Sequence, residues 1–519
     1  MRRTQAAGDC EPRADDKKGD DRKNMCVIIK RKSIMKGKFF NLACTLIIVL
    51  LCSCTGKDYK SVIPSDSDVV VMVNLKNMAE KGDLANSKAM KLAKENMGIV
   101  VSPKDRDKVQ DLIDDPAKIG IDFREPACLF QRADGSMGLV MKVADKDDLE
   151  AFMKLLRGNS VLSKAVERDG VMCCKLLDEV GVFYDDHAVL LYSGKTLKTS
   201  EADTKAACQL MKQDDDMSYK SSYDFDTDID GRDIVVMSND IRGGLKNVLP
   251  KGYAALDAGV GDVPMLLTVD FENGKVAVDA EAKPADEKGK ASMEETSKHL
   301  HKINGIFSEY DTKFVPVWMY AGVDGPWLLK EMKKNASVKE YLFMLERCID
   351  IEQMIAAVDG DLVVGMNPSK DMSLTAIAQV KSTDFMKDVD YWTKSMKEYG
   401  ASMGRVSAND YCLRFADSDT RVFWGVKNDN IYLSTISRPE HGAGKMVKTL
   451  ADGDLTDCWL YAYVDMAEIR KEKSVPSMHM AGAKIDFESM VVKSKEFGRL
   501  SIDVNVKNKD VNVLKYLLE

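Results

Sequence analysis

Apolar and polar positions along the chain fall into short alternating runs separated by segments of helical period, and the order of these runs repeats. Val69–Val73 reads as a strand closed by Asn74, and LKNMAEKG after it has the spacing of a helix start. The same strand-then-helix signal follows Asp233, as IVVMSN before IRGGLKNVL, with Asp240 at the junction. It returns at VPVWMYAGV, closed by Asp324 before GPWLLKEM, and at WLYAYV, closed by Asp465 before MAEIRKE. These four starts form two pairs.

Between the members of each pair the elements also correspond. Gly138-LVMKVAD predicts a strand and DKDDLEAFMKLL an amphipathic helix ending near Gly158; LTAIAQVKST and DFMKDVDYWTKSM repeat them. Val182-Phe183-Tyr184 with AVLLYSG matches Val422-Phe423-Trp424 with NIYLSTIS at a constant offset, which also aligns Tyr192 with Tyr432. Each copy closes in a hairpin. PMLLTVDF and KVAVDAEA flank Asn273-Gly274, a strong turn signal, and SMVVKSKEFGRLSIDVNV is its counterpart. Ser337-Val338-Lys339-Glu340 has the form of a capping box.

Short strands joined by tight turns, with helices of moderate length between them, predict an α+β protein. Its two similar tandem lobes each carry an antiparallel sheet with helices packed mainly on one face. The lobes span 62–282 and 306–519, joined by a linker and helix over 283–305. No glycine-rich phosphate turn follows any strand, which argues against a nucleotide-binding doubly wound sheet.

The amino terminus carries an address. Residues 1–34 are highly charged and fit no part of a signal, so translation is expected to begin at Met35 or Met25. Lys36 and Lys38 precede the apolar run FFNLACTLIIVLL, which has the length of a signal-peptide core. The run ends in Leu51-Cys52-Ser53-Cys54, resembling a bacterial lipobox: a small residue at the cut, Ser53, then a thiol that carries the diacylglycerol, Cys54. Residues 35–53 thus read as a lipoprotein signal and 54–61 as a lipidated tether, with the membrane as partner through the lipid. Thr55 after the cysteine directs the expectation to the outer membrane, on either face.

Charge sharpens this division. The 519 residues carry a net charge of −8, but the segment through Cys54 is +6, leaving a body of −14 that repels phosphate backbones, so no nucleic-acid partner is expected.

The lipobox, the opening IPSDSDVVVMVNLKNM and the duplicated layout resemble the domain-of-unknown-function-4836 family of Bacteroidota lipoproteins. The resemblance implies an exported, anchored protein of two lobes and supplies no catalytic residues.

Chemistry-bearing motifs are few. Five histidines offer neither HExxH nor paired spacing, and His299 and His301 would diverge on a helix, as at a solvated helix end. Asp226, Asp228 and Asp230 before Gly231 resemble the opening of a calcium loop, but its twelfth position is Met237 where a bidentate Glu belongs, and a solvated acidic loop explains them with less. Seven cysteines follow Cys54, mostly in apolar runs, and read as small core residues; Cys174 and Cys412 align between the copies. No P-loop or nucleophile elbow occurs, and no cofactor is implied. Asn74, Asp240, Asp324 and Asp465 read as helix caps.

The expected function is therefore non-enzymatic binding of a protein, small-molecule or glycan ligand by an envelope lipoprotein. A carboxylate-based polymer hydrolase and a structural or assembly lipoprotein are the alternatives. For a glycan, Tyr184, Tyr192, Trp424 and Tyr432 are the aromatics to follow.

Overall fold

A computed structural model describes residues 58–518 apart from 197, 222–228, 240–263, 285, 309–314, 348, 368–372, 417, 418, 420, 436–454, 472–478, 481, 482 and 485. Its strands are β1 Ser67–Val73, β2 Ala127–Arg132, β3 Met137–Lys142, β4 Val166–Arg168, β5 Val171–Leu176, β6 Val180–Tyr184, β7 Ala188–Ser193, β8 Ile234–Ser238, β9 Met265–Glu272 and β10 Lys275–Ala282. There follow β11 Leu300–His301, β12 Val317–Asp324, β13 Val358–Asn367, β14 Ser373–Val380, β15 Ala401–Arg405, β16 Asp410–Phe415, β17 Arg421–Lys427, β18 Asn430–Ser434 and β19 Leu460–Asp465. The last are β20 His479–Met480, β21 Ala483–Lys484, β22 Phe487–Ser494 and β23 Arg499–Val506.

All but β20 and β21 join one 21-stranded sheet in which the described pairings are antiparallel. From one edge the order is β4-β5-β6-β7-β3-β2-β1-β8-β9-β10, and from the other it is β15-β16-β17-β18-β14-β13-β12-β19-β22-β23. The two series have the same plan and meet where β10 pairs with β23, Val278 opposite Ile502. The protein is α+β, as the strand lengths predicted.

In the first series helices cover both faces, which corrects the expectation of one. On the first face Cys128, Phe130, Leu190 and Tyr192 pack with Ala207, Cys208 and Met211 of the helix Glu201–Lys212. The next residues along the same strands, Ala127 and Val189, with Met141 of β3, pack on the second face with Leu149 and Met153 of the helix Lys146–Gly158. Alternation along a strand buries both sets because each face has its own cover. In the other series Trp318, Tyr320 and Tyr461 lie on the first face with Ile303 and Phe307, while Ala321, Val323 and Trp424 face Trp392 of the helix Val389–Ser395 on the second.

Local chemistry explains the junctions. Asn74, Asp324 and Asp465 each accept the backbone N–H three residues on, at the starts of the helices Leu75–Lys81, Gly325–Met332 and Met466–Ile469. Asp240 lies outside the described residues. The capping box is displaced: Asn335, not Ser337, caps Ala336–Glu346, because its carboxamide accepts the Val338 N–H. Gly158 is the last helical residue, and the left-handed turn falls on Ser160.

The Asn273-Gly274 turn joins β9 to β10, with Gly274 at φ 74°. A Cβ there would lie 2.7 Å from the Lys509 Cα, so Gly274→Ala combines backbone strain with a collision. The expected loss is about 2 kcal/mol in urea unfolding, and a change under about 0.5 kcal/mol would refute that account.

Candidate functional site

The junction of β10 and β23 has two unlike faces. On the first face Asp279, Ser501, Asp503 and Lys275 stand in the ladder, with Lys275 Nζ 3.0 Å from Asp503 and Arg499 3.2 Å from Glu281 across the two strands. Such part-exposed pairs contribute little energy but mark this face as solvated.

The second face is apolar. Cross-strand register sets Val73 opposite Ile234, then Val269, Val278 and Ile502 in turn. The same rung continues through Val492, Ala462, Met319, Val364 and Ala376. One rung along, Phe271, Val276, Val504, Met490, Val464, Val317, Met366 and Leu374 are likewise opposed strand by strand. With strands about 4.8 Å apart, these rows form a continuous apolar band.

Most of the band is half-buried, and Met319 and Met366 are 39% and 42% exposed. Val269, Val278, Ile502, Val492 and Val504 belong to none of the buried clusters formed by the described residues. Its flanks are covered: Val73 packs beside the cluster around Leu149, and Leu362 and Leu460 pack beside the cluster around Trp392. At one end Val513, Tyr516 and Leu517 of the helix Val513–Leu518 rest on Val276 and Phe487. Burying a Val or Ile side chain fully contributes about 1.5–3 kcal/mol, so a half-exposed row leaves apolar surface available to a ligand.

A buried polar anchor lies behind this platform, on the first face of the sheet. Asp361 of β13 is fully buried and accepts from Asn304 N at 2.8 Å, Ile306 N at 3.1 Å and the Tyr320 hydroxyl at 2.6 Å. That hydroxyl in turn accepts from Phe307 N. Burial, reinforced by the hydrogen bond to Asp361, holds the Tyr320 pKa far above the ordinary phenol value. The group therefore orders the 303–307 segment and is spent on structure.

The residues singled out from sequence are dispersed. Ser53, Cys54, Asp226 and Asp228 lie outside the described residues, and Asp230 is exposed. Tyr184, Tyr192, Trp424 and Tyr432 are all buried in the core, so they offer no platform to a sugar. His299 is half-buried: its ring stacks on Trp327, and its Nδ1 lies 3.2 Å from Asp324. Alignment of Cys174 with Cys412 fails on faces. Cys174 packs with Leu149 and Tyr184, while Cys412 stands opposite Phe423, whose ring packs on the other face. A metal-compatible trio, Asp185, Asp186 and His187, sits at the β6–β7 turn, where Asp185 already accepts the N–H groups of His187 and Ala188. Sequence reading missed the band because each strand's alternation was visible but its neighbours were not.

Fold and site together define an α+β protein built on one long antiparallel sheet whose middle strands carry an apolar face between two helical covers. The chain belongs to the family described as domain of unknown function (DUF4836), whose profile matches residues 59–454. No curated protein matches it. Among solved structures, crystal form IV of TP0453 is similar at 10% identity over 44% of this chain and 81% of that chain, with a TM-score of 0.28. Crystal form III shares 10% identity over 47% and 89%, with a TM-score of 0.29. Crystal form I shares 12% over 48% and 88%, with a TM-score of 0.28. Among the described residues no helix is long and apolar enough to cross a membrane.

Proposed function

We propose that the chain is a non-enzymatic binding protein of the cell envelope, lipidated on Cys54, and that it holds an acyl chain along the apolar band. Two related lobes, 62–282 and 306–519 joined through 283–305, would set the band at their junction, and sites at such junctions are common. The observation that carries the reading is the rung from Val73 to Ala376, apolar at every strand and half-exposed through its middle. An acyl chain matches it because the rung offers no charge and no side-chain hydrogen-bond partner, which a glycan or polar peptide would need. The four aromatic residues followed as a possible sugar platform, Tyr184, Tyr192, Trp424 and Tyr432, are buried instead.

Titration of a fluorescent fatty acid into the purified chain tests the proposal. Saturable binding at one site, with no response to soluble oligosaccharides, is expected. Absence of saturable fatty-acid binding would remove the reading, and turnover of a polysaccharide would replace it with the hydrolase alternative.

A further inference from the structure

Cys173 of β5 and Cys208 of the helix Glu201–Lys212 face each other with their sulfurs 3.6 Å apart, both buried on the first face of the sheet. The helix is also tied to the adjoining strand β4 by an ion pair between Arg168 and Glu201 at the helix start. Cys174, next in sequence to Cys173, points to the opposite face, where it packs with Leu149, Val182 and Tyr184. The Cys173 sulfur also lies 3.5 Å from the Val171 carbonyl, as the Cys128 sulfur lies near that of Pro126.

From this geometry we propose that Cys173 and Cys208 form a disulfide that staples the helix to the sheet. The assignment does not depend on acyl binding, but it rests on the proposed envelope location, where thiols meet an oxidant. In the reaction each thiol loses a proton and the pair gives up two electrons as the sulfur–sulfur bond forms, while one glutathione disulfide accepts them and leaves as two glutathiones. Burial holds the Cys173 thiol up at about 12, so little thiolate exists in the folded state. The bond therefore forms during folding, while the strand and helix are still open to the oxidant. Its 35-residue separation closes a loop of the size from which a cross-link removes substantial chain entropy.

The test refolds the reduced, denatured chain in a buffer of oxidised and reduced glutathione, blocks remaining thiols with iodoacetamide under denaturing conditions, and maps the peptides by mass spectrometry. The expected result is a peptide joining Cys173 to Cys208, lighter by two hydrogens, with Cys128, Cys174, Cys348, Cys412 and Cys458 alkylated. Reductant should then lower the thermal midpoint of the oxidised chain by roughly 5 °C and leave that of Cys208→Ser unmoved. Full alkylation of both Cys173 and Cys208, or a bond from Cys173 to any other cysteine, overturns the assignment. The peptide map needs no variant, so it decides the matter even if Cys208→Ser fails to fold.

Discussion

Ile502→Asp is expected to weaken fatty-acid binding by about 3 kcal/mol, roughly a hundredfold, while lowering stability by only about 1 kcal/mol. Ile502 stands in the middle of the band, directly between Val278 and Val492. In the free protein a carboxylate there can still reach water, because the position is only partly buried. A bound acyl chain would strip that water and leave the charge unpaired, so the cost falls on the complex. Ser501→Lys provides the control: Ser501 lies on the opposite face beside Asp279 and should leave affinity unchanged. Equal affinity of Ile502→Asp and the wild type would show that the band is not the site.

Asp361→Ala carries the largest expected effect on stability, about 4 kcal/mol. Removing the carboxylate strands the N–H groups of Asn304 and Ile306 and leaves the Tyr320 hydroxyl without its acceptor, all inside a cluster that includes Trp318, Tyr461 and Phe307. Asp361→Asn, which keeps an accepting oxygen, should recover roughly half of the loss. Urea unfolding followed by tryptophan fluorescence reads the change, and a loss below about 1 kcal/mol would mean that the 303–307 segment is held by its apolar contacts alone.

The same residue shows where sequence stopped being informative. Met72 opposes Cys128 in the first strand series, and Gly322 opposes Asp361 in the second, so Cys128 and Asp361 occupy corresponding places. One copy fills the place with a buried thiol under Tyr59, whose hydroxyl donates to the Pro126 carbonyl; the other uses a carboxylate under Tyr320. Comparison by similarity is blind to such an exchange. Alternation, caps and the Asn273-Gly274 turn were legible because each depends on a few neighbouring residues.

Register was only partly legible. Tyr192 and Tyr432 do correspond, each lying opposite a glycine, Gly181 and Gly425. The β6–β7 turn, however, leaves more residues between those partners than the β17–β18 turn, where Asn428 and Asp429 both adopt positive φ. A constant offset through β6 and β17 therefore misplaces Val182-Phe183-Tyr184 against Val422-Phe423-Trp424. The band was beyond sequence for a related reason: the partners of β10 include a strand more than two hundred positions away, and only their pairing turns separate alternations into one surface.

The most direct measurement is photo-cross-linking of a fatty acid that carries a diazirine on its chain, followed by peptide mapping of the labelled protein. Label on β9, β10, β22 and β23, concentrated at Val278, Ile502 and Val492 and competed away by unlabelled fatty acid, is the predicted result. Label confined to other surfaces, such as the exposed Phe343 and Met344 of the helix Ala336–Glu346, or label that no competitor removes, would contradict an acyl chain lying along the band.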